Sequence, residues 1–172
     1  MGLDGQDYRD VLGALVQIQH PLANNGQVAA FTQLSQLRYD TQSARDADRT
    51  TLGIAYSQAF EQRFNPSFYA SLYQGQESTT NSQFDYFSQS FKGVRVGGGM
   101  AYNANLSLNS HISLEQRDYD KINPFLPFNA IRQDDETQFN LGVTWRFKPQ
   151  YSLQPYYNYS RTSANHAIND YT

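Results

Sequence analysis

Residues 139–147 read Phe-Asn-Leu-Gly-Val-Thr-Trp-Arg-Phe, with a large apolar side chain at every second position. Successive side chains of a β-strand point to opposite faces, so the five apolar residues share one face and Asn, Gly, Thr and Arg share the other. A helix would mix the two sets, because its faces repeat every 3.6 residues. The stretch therefore predicts a β-strand with one apolar face and one polar face.

The same period-two pattern recurs along the chain. It is regular in four further segments, at 52–60, 94–101, 106–119 and 153–160. It is less regular in three others, at 12–22, 27–40 and 66–75. Leu15 interrupts the polar side of the first of these, and the last has aromatic residues on both sides. Together the segments predict about eight antiparallel strands, each near the roughly 9–11 residues that a tilted membrane strand requires.

The links between these segments alternate between short and long. The short links are rich in turn-forming residues and fall at 23–26, 62–65, 103–105 and 148–150. The long polar links fall at 41–48, 76–92, 120–136 and from 163 onward. Outer-membrane barrels sort their loops in this way, because periplasmic turns are tight and extracellular loops are long. We therefore expect an all-β fold, an antiparallel up-and-down transmembrane β-barrel with its apolar faces toward lipid.

Aromatic placement agrees with a barrel in a bilayer, whose rings gather at the two membrane interfaces. Five aromatic residues lie beside the short links: Phe60, Tyr102, Trp145, Phe147 and Tyr151. Four lie toward the long links: Tyr39, Tyr73, Tyr119 and Tyr159. These two sets predict an aromatic girdle at each interface.

Composition narrows the remaining possibilities. Charged residues make up 17% of the 172 residues and aromatic residues 15%, and no run approaches the 18 apolar residues of a transmembrane helix. The net charge of −3 gives no electrostatic reason to expect nucleic-acid binding, and the absence of cysteine removes disulfides and thiolate metal sites. His20 and His166 are isolated, so we expect no zinc site and no cofactor.

The loop parity also bears on the two ends of the chain. The first strand would begin, and the last recognisable strand would end, on the long-loop side, whereas complete bacterial barrels normally have both termini in the periplasm. We expect residues 1–172 to be a single barrel domain, or a fragment of one that lacks the final strand. Met1–Asp4 carries neither the basic nor the apolar region of a signal peptide, which points to a mature portion.

Charged side chains on the predicted polar face are the candidate functional residues. They are Arg95, His111, Glu115, Arg117, Arg146 and Lys148. They could line a selective lumen, since charged rings tune conduction in pores. We favour the simpler interpretation, an ion-pair network that stabilises the lumen. The acidic clusters Asp46, Asp48 and 134–136 are interpreted as solvated or lipopolysaccharide-facing loop charge, because they lack the spacing of a calcium loop.

His111, Ser113 and Glu115 share one strand face and are the only arrangement that suggests catalysis. A His-x-Ser pair with an orienting carboxylate is used by outer-membrane lipid-A deacylases. Side chains two residues apart on a strand point in parallel, however, and polar residues fill this face in any case. We therefore expect a lumen histidine, no catalytic residues and no enzyme activity.

The last third of the chain resembles a known family. The residues that carry the resemblance are 114–120 (Leu-Glu-Gln-Arg-Asp-Tyr-Asp), 132–136 (Arg-Gln-Asp-Asp-Glu), 139–147, 151–161 and 163–172. They are similar to the barrel domain of the surface lipoprotein assembly modifiers, the outer-membrane proteins of type XI secretion. That family carries periplasmic tetratricopeptide repeats before a C-terminal barrel, and its pattern continues into one more strand that ends in an aromatic residue. We expect residues 1–172 to contain neither part.

The resemblance implies an outer-membrane barrel that helps to move lipoproteins or small secreted proteins to the surface of a Gram-negative cell. Its partners would be that client and the lipid and lipopolysaccharide of the membrane. A porin or exopolysaccharide channel is the first alternative, and inward rings such as Tyr69, Tyr73 and Tyr156 would favour a sugar path. Lipid hydrolysis through His111 and Ser113 is the second, and a soluble β-sandwich or barrel with buried apolar faces is the third.

Overall fold

The computed structural model describes residues 2–3, 6–7, 9–125 and 130–165. Eleven strands are present in these ranges: β1 (Gly2–Leu3), β2 (Gln6–Asp7), β3 (Asp10–Pro21), β4 (Gly26–Arg38), β5 (Ala47–Ala59), β6 (Ser67–Thr79), β7 (Gln89–Asn103), β8 (Leu106–Tyr119), β9 (Gln133–Lys148), β10 (Tyr151–Leu153) and β11 (Tyr156–Ala164). Three short 3-10 helices lie in the links, at Ala23–Asn25, Ser43–Arg45 and Ser82–Phe87. None of the helices in the described ranges has the length and hydrophobicity of a membrane-spanning helix.

Strands β3 to β11 form one antiparallel sheet in which each strand from β3 to β9 pairs with the next along the chain. Strands β10 and β11 both pair with β9 and continue one register, Leu153 opposite Trp145 and Tyr156 opposite Gly142. Pro155 separates them because it has no N–H to donate, although its carbonyl accepts a hydrogen bond from the Val143 N–H (3.0 Å). The predicted antiparallel up-and-down fold is confirmed. Among the described strands the sheet is open, with β3 and β10–β11 as its edges.

The connections alternate in length as the sequence predicts. Links 22–25, 104–105 and 149–150 are short, and 80–88 and 120–132 are long, whereas 60–66 and 39–46 differ little. Strands β3 to β9 run for 12 to 16 residues, which is longer than expected. The extra length lies at the long-loop end, where polar residues on both faces hide the alternation. Residues 133–136 were predicted to be loop and belong instead to β9.

The register divides the sheet into two faces. The apolar face carries Ile112, Phe139 and the residues directly opposite them, and the polar face carries Ser113, Gln138 and theirs. Large side chains of the apolar face are exposed, for example Ile18 (76%) and Ile54 (60%). The buried strand residues lie on the polar face instead, mostly toward the long loops: Ser35, Leu37, Ala47, Gln89, Phe91, Ser113, Asp134 and Thr162. A water-soluble β-sandwich packs its apolar faces inward, so this arrangement is the reverse.

Aromatic rings on the polar face rest on glycines of the neighbouring strand. Tyr73 lies directly opposite Gly93, where a Cβ would meet the ring at 2.5 Å, and Tyr69 lies opposite Gly97, where the distance would be 2.7 Å. Phe91 covers Gly75 in the same way, at 2.5 Å. These close contacts explain why 66–75 shows aromatics on both faces, since an inward ring needs a glycine beside it.

Candidate functional site

Five charged residues form a continuous cluster on the polar face near the long loops. We call this cluster the ion-pair belt, and its members are Arg49, Glu77, Glu115, Arg117 and Glu136. They come from β5, β6, β8 and β9, and alternation turns all five side chains to the same side. Two cations meet three carboxylates, so the belt carries a net charge of −1.

Arg117 is shared between two carboxylates. Its Nε donates to Glu115 Oε1 at 2.6 Å, and its Nη2 lies 2.5 Å from Glu136 Oε2. Glu115 and Glu136 are directly opposite each other in the β8–β9 ladder. Like charges in that position repel, so the guanidinium neutralises a contact that would otherwise destabilise the ladder. Its side chain is 23% exposed and the two carboxylates 10% and 12%.

Arg49 ties β5 to β8 across the two strands between them. Its guanidinium lies 3.5 Å from Glu77 and 3.7 Å from Glu115, and its Cζ is 3.9 Å from the centroid of the Phe91 ring. A side chain can span that distance only if the polar face is concave here. The guanidinium therefore makes ion pairs and a cation–π contact at the same time, and the ring beneath it covers Gly75.

Tyr73 completes the belt. Its hydroxyl donates to Glu115 Oε2 at 2.9 Å and lies 3.3 Å from Ser113 Oγ. Glu115 therefore meets Arg117, Arg49 and Tyr73, which satisfies both oxygens of a carboxylate that is mostly buried. The belt itself is packed by charges and rings rather than by aliphatic residues.

A second charged contact lies one row closer to the loops. Asp134 is 2% exposed, and its carboxylate pairs with Arg132 (Nη2 to Oδ2, 2.5 Å) and faces the Tyr119 hydroxyl at 3.5 Å. The prediction of solvated loop charge is wrong for Asp134 and Glu136, which are inward strand residues with basic partners. Asp135 is also on the strand but is exposed, as a solvated charge would be. The two-residue period of this strand is not visible in the sequence here, because Asp134, Asp135 and Glu136 are consecutive acidic residues.

The predicted lumen-facing residues all lie on strands with the phase expected for the polar face, and the structure brings only some of them together. Glu115 and Arg117 join the ion-pair belt. Arg95 lies over the Tyr73 ring at 6.0 Å, and His111 Nε2 lies 3.0 Å from Asn140 Nδ2. Arg146 and Lys148 are exposed near the turn at 149–150.

His111, Ser113 and Glu115 do not hydrogen-bond to one another. His111 contacts Asn140, Ser113 contacts Tyr73, and Glu115 contacts Arg117 and Tyr73. Among the described residues, no group of three or more histidine or acidic side chains could hold a metal ion. His166 lies outside the described residues.

The aromatic residues expected at the short turns lie at one end of the sheet and are well exposed. Trp145 and Phe147 have ring centroids 5.7 Å apart, and Phe147 stacks with Tyr151 at 6.2 Å. Phe60 and Tyr102 are 42% and 58% exposed at the same end. The expected second girdle differs: Tyr73 and Tyr119 belong to the polar face, and Tyr159 lies on the apolar face opposite Phe139.

Sequence reasoning missed Arg49, Glu77 and Glu136 as members of the belt. Arg49 shares the parity of Gly53 and Ala55 on the predicted polar face, and this parity was the one available signal. It was lost because 41–48 and 76–92 were expected to be loops, whereas strands β5 and β6 continue into both segments.

One comparison with known proteins identifies the family. The family model of the surface lipoprotein assembly modifiers matches residues 3–172, nearly the whole chain. No curated protein and no solved structure gave a significant match. The resemblance noted in the last third thus extends over almost all of the sequence. The chain belongs to the surface lipoprotein assembly modifier family.

Proposed function

We propose that this chain forms the wall of an outer-membrane β-barrel that assists the translocation of lipoproteins or small secreted proteins to the cell surface. The observation that carries the proposal is the distribution of side chains over the two faces of the sheet, which is the reverse of that in a water-soluble β-sandwich. The apolar face of the sheet is exposed as a lipid-facing wall would be, and its polar face holds a paired charge network. Membership of a family defined by surface lipoprotein assembly supplies the client class.

The polar face would guide the client without covalent chemistry or a cofactor. Below the belt, neutral hydroxyl and amide side chains such as Ser71, Asn109 and Asn140 offer hydrogen bonds between the few cations of this region. A polypeptide can exchange such contacts with little cost at each step. The belt lies between this surface and the long loops, so the client would meet it last.

Surface display of a reporter lipoprotein tests the proposal. Cells that lack the gene should hold the reporter inside, where added protease cannot reach it, and the wild-type gene should restore cleavage. If the protein inserts into the outer membrane and deletion of its gene leaves display unchanged, the translocation role is refuted. Deleting the outer loops should leave folding intact and alter client release.

A channel for saccharides is the second candidate, favoured by one observation. Tyr69 and Tyr73 lie against glycines on the polar face, and Tyr156, opposite Gly142 on that face, is 78% exposed. Aromatic faces along a lumen suit sugar rings. Conductance across a planar bilayer that oligosaccharides block, together with normal lipoprotein display in the deletion strain, would select this candidate.

A further inference from the structure

The apolar face of the sheet carries an open recess. It has a volume of about 930 Å³ and runs across β4 to β9, between two rows of outward side chains. One row is aliphatic and includes Ile54, Leu72 and Leu114. The row nearer the loops is mostly polar and includes Gln74 and Lys92. We call this recess the outward groove.

Two smaller recesses continue the outward groove in opposite directions. Toward the short turns, a recess of about 580 Å³ shares Ile54, Leu72 and Val94 with it and is almost entirely apolar. Toward the long loops, a recess of about 460 Å³ shares Gln74 and Lys92. That recess adds outward hydroxyl, amide and carboxylate groups from Thr50, Gln76, Ser90 and Asp118. The surface therefore passes from an apolar zone, past a single cation, to a zone of hydroxyl and amide groups that also contains one carboxylate, Asp118.

Lys92 stands at the boundary of these zones. It lies directly opposite Gln74 on one side and Gln116 on the other, so its ammonium is flanked by two outward amides. It forms no ion pair with any described residue; the nearest acid of its row, Asp135, lies one strand beyond Gln116. A phosphate placed between the three side chains would gain a charge-assisted hydrogen bond and two amide donors.

We propose that the outward groove, together with the two recesses that continue it, binds a phosphorylated glycolipid of the lipopolysaccharide class. Its acyl chains would lie on the aliphatic row, a phosphate at Lys92, and its sugars against Thr50, Gln76 and Ser90. The order of groups along the groove matches the order of groups in that lipid, and the polar zone lies at the long-loop end, which faces the outer leaflet in a barrel. The inference rests on the membrane placement of the proposed function and adds to it a defined lipid partner.

Lipid retention in nanodiscs tests the site. The full protein is reconstituted in phosphatidylcholine discs that contain diphosphorylated lipid A, dephosphorylated lipid A or phosphatidylglycerol, and bound lipid is counted by native mass spectrometry. We expect diphosphorylated lipid A to be retained. Removing its phosphates, or the substitution Lys92→Gln, should lower retention about tenfold, as the loss of a charge-assisted hydrogen bond predicts. Lys148→Gln is the control and should retain lipid normally, because it replaces an exposed lysine of the polar face at the short-turn end of β9.

A second variant tests the apolar zone separately. Leu72→Trp fills the groove with an apolar side chain at a position that is 57% exposed, so it should insert normally and still lose lipid A. Equal retention by Lys92→Gln and Lys148→Gln, or retention of phosphatidylglycerol equal to that of lipid A, would overturn the glycolipid assignment. A protein that inserts and displays lipoprotein but retains no lipid A overturns this inference alone. A protein that does not insert overturns the proposed function as well.

Discussion

The guanidinium of Arg49 lies 3.9 Å from the centre of the Phe91 ring and 3.7 Å from Glu115, although two strands separate β5 from β8. One side chain thus holds four strands of the polar face in a curve. The ring can occupy this position because Gly75 has no side chain; a Cβ there would meet the Phe91 ring at 2.5 Å.

The shared cation Arg117 should contribute most to the stability of the belt. Substitution Arg117→Met leaves Glu115 and Glu136 opposite each other and partly desolvated, and we expect a loss of about 3 kcal/mol in the free energy of unfolding. Urea unfolding in detergent micelles measures the loss. Arg146→Met, an exposed arginine of the same face, should change stability by less than about 0.5 kcal/mol. Equal effects of the two substitutions would contradict the role of the belt.

The glycine under Tyr73 should be intolerant of a side chain. A Cβ at position 93 would lie 2.5 Å from the ring, so Gly93→Ala should displace Tyr73 from Glu115 and cost about 1–3 kcal/mol. In a Tyr73→Ala background the same glycine substitution should cost less. The coupling energy of this double-mutant cycle, obtained from urea unfolding, is the measurement, and additive costs would show that the ring is not the obstacle.

Trp145 is the single tryptophan of the chain and reports where the apolar face lies. It is 50% exposed on that face at the short-turn end, so brominated lipids should quench its fluorescence in vesicles. A matched control moves the indole to the polar face, with Trp145→Phe combined with Arg146→Trp. Quenching of both proteins to the same extent would mean that the two faces are not separated by the bilayer.

Two long loops are tied together outside the strands. Lys121 Nζ lies 2.8 Å from Asp85 Oδ2, and Tyr86 meets Phe125 edge to face at 5.9 Å. The hydrogen bond from Lys121 holds the pKa of the Asp85 carboxyl below its ordinary value. The tether is therefore fully present above the pH range in which an ordinary aspartate titrates, and it is lost as pH falls through the lowered pKa.

NMR titration of the Asp85 carboxyl carbon checks this expectation. Its midpoint should lie below that of a free aspartate in the wild-type protein and return toward that value in Lys121→Met. Lys148→Met serves as the control, since it removes a lysine far from Asp85 in sequence and at the other end of the sheet. An unchanged midpoint in Lys121→Met would show that the ion pair does not hold the loops.

Several features of the fold followed from local pattern. The alternation in 139–147 and 106–119 predicts both strands and both faces, since side-chain direction along a strand depends only on position. Tyr119 lies five residues after the apolar-face residue Leu114, so strict alternation also places its ring on the polar face. Register and strand ends were less predictable. Near the long loops both faces of the strands carry polar residues, so the alternation cannot be seen in the sequence.

The sequence by itself determined that this chain forms amphipathic antiparallel strands joined by links that tend to alternate in length. Those properties arise from neighbouring residues. Only the tertiary structure decided that Arg49 meets Glu115, that Tyr73 rests on Gly93, and that the outward rows leave a groove beside Lys92. These contacts join residues from strands far apart in the chain, and they depend on register and sheet curvature, which no local pattern specifies.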